Sequence, residues 1–378
     1  MKYIRVFLKL IIIINLLMIL IGCWNYSEAD DEFIVTAVAI DKAEEGYIVT
    51  VEVTYPKKGS GSGLDNEYFS EQGRTIFEAI RKTILQTGRK MYWGHAKVVI
   101  ISRDIAEEGI LSVIEFLIRD TDVRNKMWLI ISTDETASVL FKVEDEVHNS
   151  IGFHFDDILR NQEKVGMGYG GDLLDTLACL SSEGVTPKVA TASNIKTIGG
   201  VVPRVEGMAI FNRDKMIGRI DGLDVKTFLL IINKFKGGEY KVLNLGNTDF
   251  SLEILESKTK LKPIIEDGNI IMEIDIKMDM WIVEGEGNFM SSESLVEIRK
   301  KMEKNITSDI ERVVKKVQSE YNSDIFGFGR AIYKHKPNVW KDVSSDWDRE
   351  FSKVKVQANV EITIKGTGLL EKPIRTKN

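Results

Sequence analysis

The chain has 378 residues, 43% of them hydrophobic and 29% charged, which is the balance of a globular protein with an ample core and room for two or three domains. Its formal net charge of −6, from 51 basic and 57 acidic side chains, argues against nucleic acid as a partner, because binding phosphates calls for a basic surface. Two cysteines, Cys23 and Cys179, leave no framework of disulfides to hold the fold.

The chain opens with Lys2, Arg5 and Lys9, followed by an apolar run from Leu10 to Ile21 and the junction Leu20-Ile21-Gly22-Cys23. A positive segment, a short apolar segment and a small-residue junction make an export signal. A thiol directly after the small residue has the form of a bacterial lipobox: it is alkylated by a lipid before cleavage, which leaves Cys23 as a lipid-bearing N-terminus. A transmembrane anchor needs about 20 apolar residues; this run is shorter and is interrupted by Asn15. Residues 1–22 are therefore expected to be a lipoprotein signal peptide, and residues 23–32, with Glu28, Asp30, Asp31 and Glu32, a lipidated tether. Loss of the signal leaves 48 basic side chains against 57 acidic, near −9, which argues against a polybasic attraction to anionic lipid. The covalent lipid on Cys23 does the anchoring, and no other cofactor is expected.

Residues 33–198 read as an N-terminal α/β domain. Phe33 to Asp41 and Tyr47 to Tyr55 predict a hairpin, the second strand alternating with period two. Thr75 to Thr87 and Ile110 to Ile118 predict helices, each with one apolar face. Met91 to His95 is a turn into the strand Ala96 to Ile101. Met127 to Ser132 is a near-continuous apolar strand of the kind covered on both faces. Strand, helix and strand of these lengths predict a crossover unit. Gly166 to Gly171 reads as a loop before a helix capped by Asp172. Residues 199–240, a hairpin about Arg213-Asp214-Lys215 and a helix from Asp224 to Phe235, form a small middle domain. Residues 241–378 form a C-terminal α+β domain. Its strands are Phe250 to Leu255, Lys258 to Ile264, the strictly alternating Ile270 to Val283, and Lys353 to Lys365. Its long helix runs from Ser292 to Tyr321, about 45 Å. Phe326 to Tyr333 predicts a further helical stretch.

No catalytic constellation emerges. Of His95, His148, His154 and His335, only His148 and His154 are close, and six residues apart they do not share a helix face as zinc ligands do. Gly59 to Gly63 is flexible by composition and lacks a Lys and Ser/Thr at the fixed offsets before a helix that a phosphate-binding loop needs. Cys179 lies in Leu177-Ala178-Cys179-Leu180 with no basic neighbour, the setting of a small core residue. What stands out is aromatic and glycine-rich: Arg89 to Val98, Phe326-Gly327-Phe328-Gly329-Arg330, and Pro337-Asn338-Val339-Trp340. Such rings either pack cores, with the glycines making turns, or form a docking surface, because Trp and Tyr dominate interface hot spots. The docking candidates are Tyr92, Trp93, Phe326, Phe328 and Trp340.

These same segments carry a resemblance. Gly22-Cys23-Trp24, Ile40-Asp41, Glu78 to Lys82, Arg89 to Val99, Phe116 to Asp120, Gly207 to Phe211, Phe326 to Gly329 and Pro337 to Trp340, taken in order, resemble the Ger(x)C family. Its members are the C subunits of nutrient germinant receptors in endospore-forming bacteria. The resemblance runs from Cys23 to about Gly368. It implies three α+β domains, a lipoprotein on the outer face of the spore inner membrane, no enzymatic activity, and partnership with a multi-spanning A subunit and a transporter-like B subunit. Of the family's functional residues only Cys23, the lipid attachment site, carries over. After Trp24 the family usually has Asp and basic residues, where this chain has Asn25-Tyr26-Ser27. The alternative reading is a solute-binding lipoprotein that captures a nutrient directly; such proteins have two similar lobes, and the sequence carries no internal repeat.

Overall fold

In the computed structural model, which describes residues 2–19, 32–57, 64–119, 123, 126–142, 150–245, 248–285 and 291–367, the first element is a helix, α1 (Lys2–Ile19). Cys23, the residues up to 31 expected to form a tether, Gly59 to Gly63 and His148 lie outside the described residues. The body starts at β1 (Glu32–Lys42), which forms an antiparallel meander with β2 (Tyr47–Pro56) and β3 (Leu64–Gly73). After α2 (Ile76–Thr87) and the short β4 (Lys90–Tyr92), the strands β5 (Val98–Ile101), β6 (Trp128–Ser132) and β7 (Lys188–Thr197) add to the other side of β1, all parallel to it. Antiparallel β8 (Gly200–Asn212) and β9 (Lys215–Ile220) complete a nine-stranded mixed sheet in the order β3-β2-β1-β5-β6-β7-β8-β9, with β4 against the start of β1.

Apolar composition explains why β5 and β6 sit in the middle. Val99, Ile101, Leu129 and Ile131 face a core shared with α2, α4 (Leu111–Arg119) and α7 (Leu173–Leu180). Val98, Ile100 and Ile130 face the opposite core, closed by Ile151, Phe155 and Leu159 of α5 (Ile151–Arg160). Strands buried on both faces read as continuous apolar runs. The shorter helices α3 (Arg103–Glu108) and α6 (Gln162–Val165) fill the connections. The local signals act as expected: the Thr75 hydroxyl accepts the Glu78 N–H at 3.1 Å to start α2, and Asp172 accepts the Asp175 N–H at 2.8 Å to start α7.

The second sheet has four strands, β10 (Glu239–Leu245), β11 (Thr248–Glu266), β12 (Asn269–Glu284) and β13 (Lys355–Gly366), in that order. Met272, Ile274, Ile276, Met278, Met280 and Ile282 all point inward. They meet Ile298, Met302, Ile306, Ile310, Val313 and Val317 of the long helix α9 (Ser292–Glu320), which crosses from β12 to the parallel β13. Asp267 and Gly268 take positive φ angles of 49° and 78° in the β11–β12 turn, as the tightest hairpins require. The two strands expected at 250–255 and 258–264 are one. Leu255 bulges out between the pairs Ile254–Met280 and Glu256–Asp279, so β11 shifts register without ending.

Residues 199–240, read above as a small middle domain, have no sheet of their own. Their hairpin is β8 and β9 of the first sheet. Met208, Ile210 and Ile220, with Val225, Phe228 and Leu229 of α8 (Gly222–Ile231), join the core beneath the second sheet. This segment therefore bridges the two sheets.

Candidate anchoring and docking site

The five docking candidates fall in two places. β4 pairs with the first residues of β1 in the register Glu32–Lys90, Phe33–Met91 and Ile34–Tyr92, so the aromatic turn lies beside the start of the body at Glu32. Tyr92 is 40% exposed there, with the His95 ring 5.9 Å away. Arg89 places its guanidinium 4.9 Å above the Phe33 ring, and Phe77 and Leu85 of α2 are also exposed. Trp93, one residue on, is buried in the first-sheet core.

Phe326, Phe328 and Trp340 are in the other place, and all three are buried. Four of the five rings thus pack cores and present no aromatic face. For Phe326 and Phe328 the cause is Asp324, a residue that little in the sequence marks out. Its Oδ1 accepts the backbone N–H groups of Phe326, Gly327 and Phe328 at 3.1, 2.8 and 3.1 Å. Its Oδ2 accepts the N–H of Gly329 at 2.7 Å and the indole N–H of Trp347 at 3.1 Å. This carboxylate folds Phe-Gly-Phe-Gly around itself and starts α10 (Phe328–His335). The stacked Phe326 and Phe328 rings, 5.2 Å apart, are driven into the core beneath the second sheet. Burial pushes the Asp324 carboxyl up to about 6, against the pull of the surrounding donors.

The two glycines of this knot serve different needs. Gly327 has a φ of +78°, and Gly329 approaches so closely that a Cβ would lie 2.7 Å from both Gly184 Cα and the Trp347 indole nitrogen. That approach is the junction between the two halves of the molecule. The Thr186 N–H donates to the Asp324 carbonyl and the Arg330 N–H to the Gly184 carbonyl, each at 3.1 Å. Ser323 donates to the Phe211 carbonyl at 2.8 Å. Trp340, on α11 (Pro337–Val343), donates its indole N–H to Glu183 at 3.1 Å, and its ring meets Trp347 of α12 (Trp347–Phe351) edge-on.

A second buried carboxylate organises the first sheet. Glu52, fully buried on β2, accepts Thr36 Oγ1 at 2.6 Å, Ser150 Oγ at 2.8 Å, and the N–H groups of Ile151 and Gly152 at 2.7 and 2.9 Å. It therefore caps the N-terminus of α5 from across the sheet. Both carboxylates are consumed by structure. Among the described residues no group of three or more His, Cys, Asp and Glu side chains converges as a metal site would require. Cys179 departs from its expected setting. It is half-exposed, and the chain returns Lys188 to it, with Nζ 3.7 Å from Sγ. No helix among the described residues is long and apolar enough to cross a membrane.

Two family models match. Residues 25–191 fit a spore germination protein N-terminal domain, and residues 206–368 fit the C-terminal domain described as spore germination B3/GerAC like. Among curated proteins the chain is similar to spore germination protein KC of Bacillus subtilis strain 168, at 24% identity over 94% of this chain and 95% of that one. It is similar to spore germination protein YndF of the same strain, at 26% over 96% and 98%, and to spore germination protein GerQC of Bacillus cereus, at 24% over 96% and 99%. The crystal structure of the GerBC protein shares the fold, with a TM-score of 0.57 at 21% identity over 87% of this chain and 96% of that one.

Proposed function

The chain belongs to the Ger(x)C family of spore germination proteins, and from that premise we propose that it is a non-enzymatic, lipid-anchored subunit of a receptor that couples nutrients to germination. In this reading Cys23 carries the lipid and tethers the body to the outer face of the spore inner membrane. Integral A and B subunits are its partners there. One observation carries the reading: the two family models span the body in order, and the first begins two residues after the lipobox cysteine.

The placement of β1 supports a short-range partnership. Eight residues lie between Cys23 and Glu32, and the nine steps from one to the other reach about 30 Å when fully extended. Tyr92, its register partner Ile34, and Phe77 and Leu85 on α2 are exposed beside that exit point. We assign the docking face to this patch, which Trp93 backs from the first-sheet core, and not to Phe326, Phe328 or Trp340, which lie buried in the core beneath the second sheet. The solute-binding alternative calls for two similar lobes, whereas the two sheets differ in strand number and order.

The test is Cys23→Ser in the native cell. Loss of the protein from the spore membrane fraction, together with a weakened nutrient response, is the expected result. Normal fractionation with normal germination would refute the anchoring role.

A further inference from the structure

Lys188 opens β7 and is only 8% exposed. Lysines are almost never buried this deeply without a paired carboxylate. Among the described residues no carboxylate lies within ion-pair distance of its Nζ, whose partners are the Thr186 carbonyl at 3.5 Å and the Cys179 sulfur at 3.7 Å. Burial pushes the Lys188 amine below its usual range, which favours a free lone pair. Cys179 lines a cavity of about 520 Å³ that also touches Ser182, Pro187, Arg213 and Trp340 and opens to solvent, so a small oxidant can reach the sulfur.

We propose that Cys179 and Lys188 form a redox-responsive pair that closes a sulfenamide bond when a hydroperoxide oxidises the thiol. The thiolate attacks one peroxide oxygen, the O–O bond breaks, and the sulfur becomes a sulfenic acid, a species that condenses with nearby nitrogen. The amine lone pair then attacks the sulfur, the S–O bond breaks, and the departing hydroxide takes the amine proton. One thiol, one amine and one hydrogen peroxide give one S–N bond and two waters; the sulfur loses two electrons and the peroxide gains them. The new bond would staple residues 179–188. That loop supplies Glu183, Gly184 and Thr186 to the junction with the second sheet. Oxidation would thereby stiffen the contact between the two halves.

The test uses the full chain in detergent with Cys23→Ser, so that Cys179 is its one thiol. Hydrogen peroxide is added, quenched with catalase, and followed by intact mass and peptide mapping. The expected product is lighter by two hydrogen atoms, contains a linked Cys179–Lys188 peptide, and returns to the starting mass with dithiothreitol. Lys188→Arg should abolish the linked product and leave a sulfenic acid that dimedone traps. If that variant does not fold, the wild-type peptide map decides alone. A wild-type product that gains two or three oxygens on Cys179, with Lys188 in an unmodified peptide, overturns the proposal.

Discussion

Removing the Asp324 carboxylate tests whether one side chain holds the junction. Asp324→Ala strands five N–H donors, those of Phe326, Gly327, Phe328, Gly329 and the Trp347 indole. An unsatisfied buried donor costs about 1–3 kcal/mol. Water entering the vacated space recovers part of this, so the expected loss is about 4–6 kcal/mol, at the upper end for single substitutions. Asp324→Asn keeps the shape but turns an amide NH₂ toward donors, and about 3 kcal/mol is expected. The pH dependence discriminates further. A carboxyl raised from 3.8 to about 6 binds its proton more tightly folded than unfolded, so its contribution falls as pH rises between those values. The Asn deficit should therefore be larger at pH 4 than at pH 7, by up to about 3 kcal/mol. Urea unfolding monitored by tryptophan fluorescence at both pH values measures this. A loss below 1 kcal/mol for Asp324→Ala would refute the knot. A deficit that widens toward pH 7 would mean that the five donors outweigh burial.

The other expectations concern separate places in the fold. Asp224 behaves oppositely to Asp324: burial raises its pKa, but Lys316 and Arg312, at 2.8 and 2.7 Å, more than reverse this and hold it below the ordinary range. Asp224→Asn should cost about 1–3 kcal/mol at neutral pH, and that deficit should shrink as pH falls through the carboxylate range in the same unfolding assay. Gly327→Ala should cost about 1–2 kcal/mol for its left-handed backbone, whereas Gly329→Ala should cost more, because backbone and indole atoms occupy the space of its Cβ. Paired melts of the two variants check the order. Tyr92→Asp should leave stability within about 0.5 kcal/mol yet weaken co-isolation with membrane partners, while Trp93→Ala should cost about 3–5 kcal/mol of stability.

What could be read from the sequence follows the strength of its periodicity. β12 alternates without exception and α9 keeps its three-and-four spacing over its length, so both lie where expected, within a residue or two. β3 leaves no signal because this edge strand, Leu64–Gly73, is polar on both faces and carries no alternation to detect. The aromatic glycine-rich segments were legible as unusual but not as buried. Exposure of Phe326 depends on where Asp324 gathers its N–H donors, and a single Asp ahead of Phe-Gly-Phe-Gly resembles any surface acid. An acid followed by glycines that admit a tight turn was the available signal. Lys188 escaped notice for a related reason: it is nine residues from Cys179, and only the reversal through Ser181 to Pro187 brings the two together.

Under the proposed anchoring, parallel register constrains how the body would meet the bilayer. Ala37 pairs with Val98, Val98 with Trp128, and Ile130 with Ala190, which sets Lys188 level with Trp128 and with Ala37. β1, β5, β6 and β7 all enter the sheet from one end, so Glu32, the Tyr92 turn and the junction loop at 181–187 share that end. Three strand spacings, about 14 Å, separate β1 from β7. A short lipid tether of the kind proposed would therefore draw the second-sheet half toward the membrane along with the first, since that half is fastened at Gly184 and Thr186. A lipid-borne photocrosslinker should label peptides around Tyr92 and Ser182 in preference to those around Lys42 and Thr133, at the far ends of β1 and β6. Equal labelling of both ends would show that the tether imposes no orientation, and the docking patch would then owe nothing to its place beside Glu32.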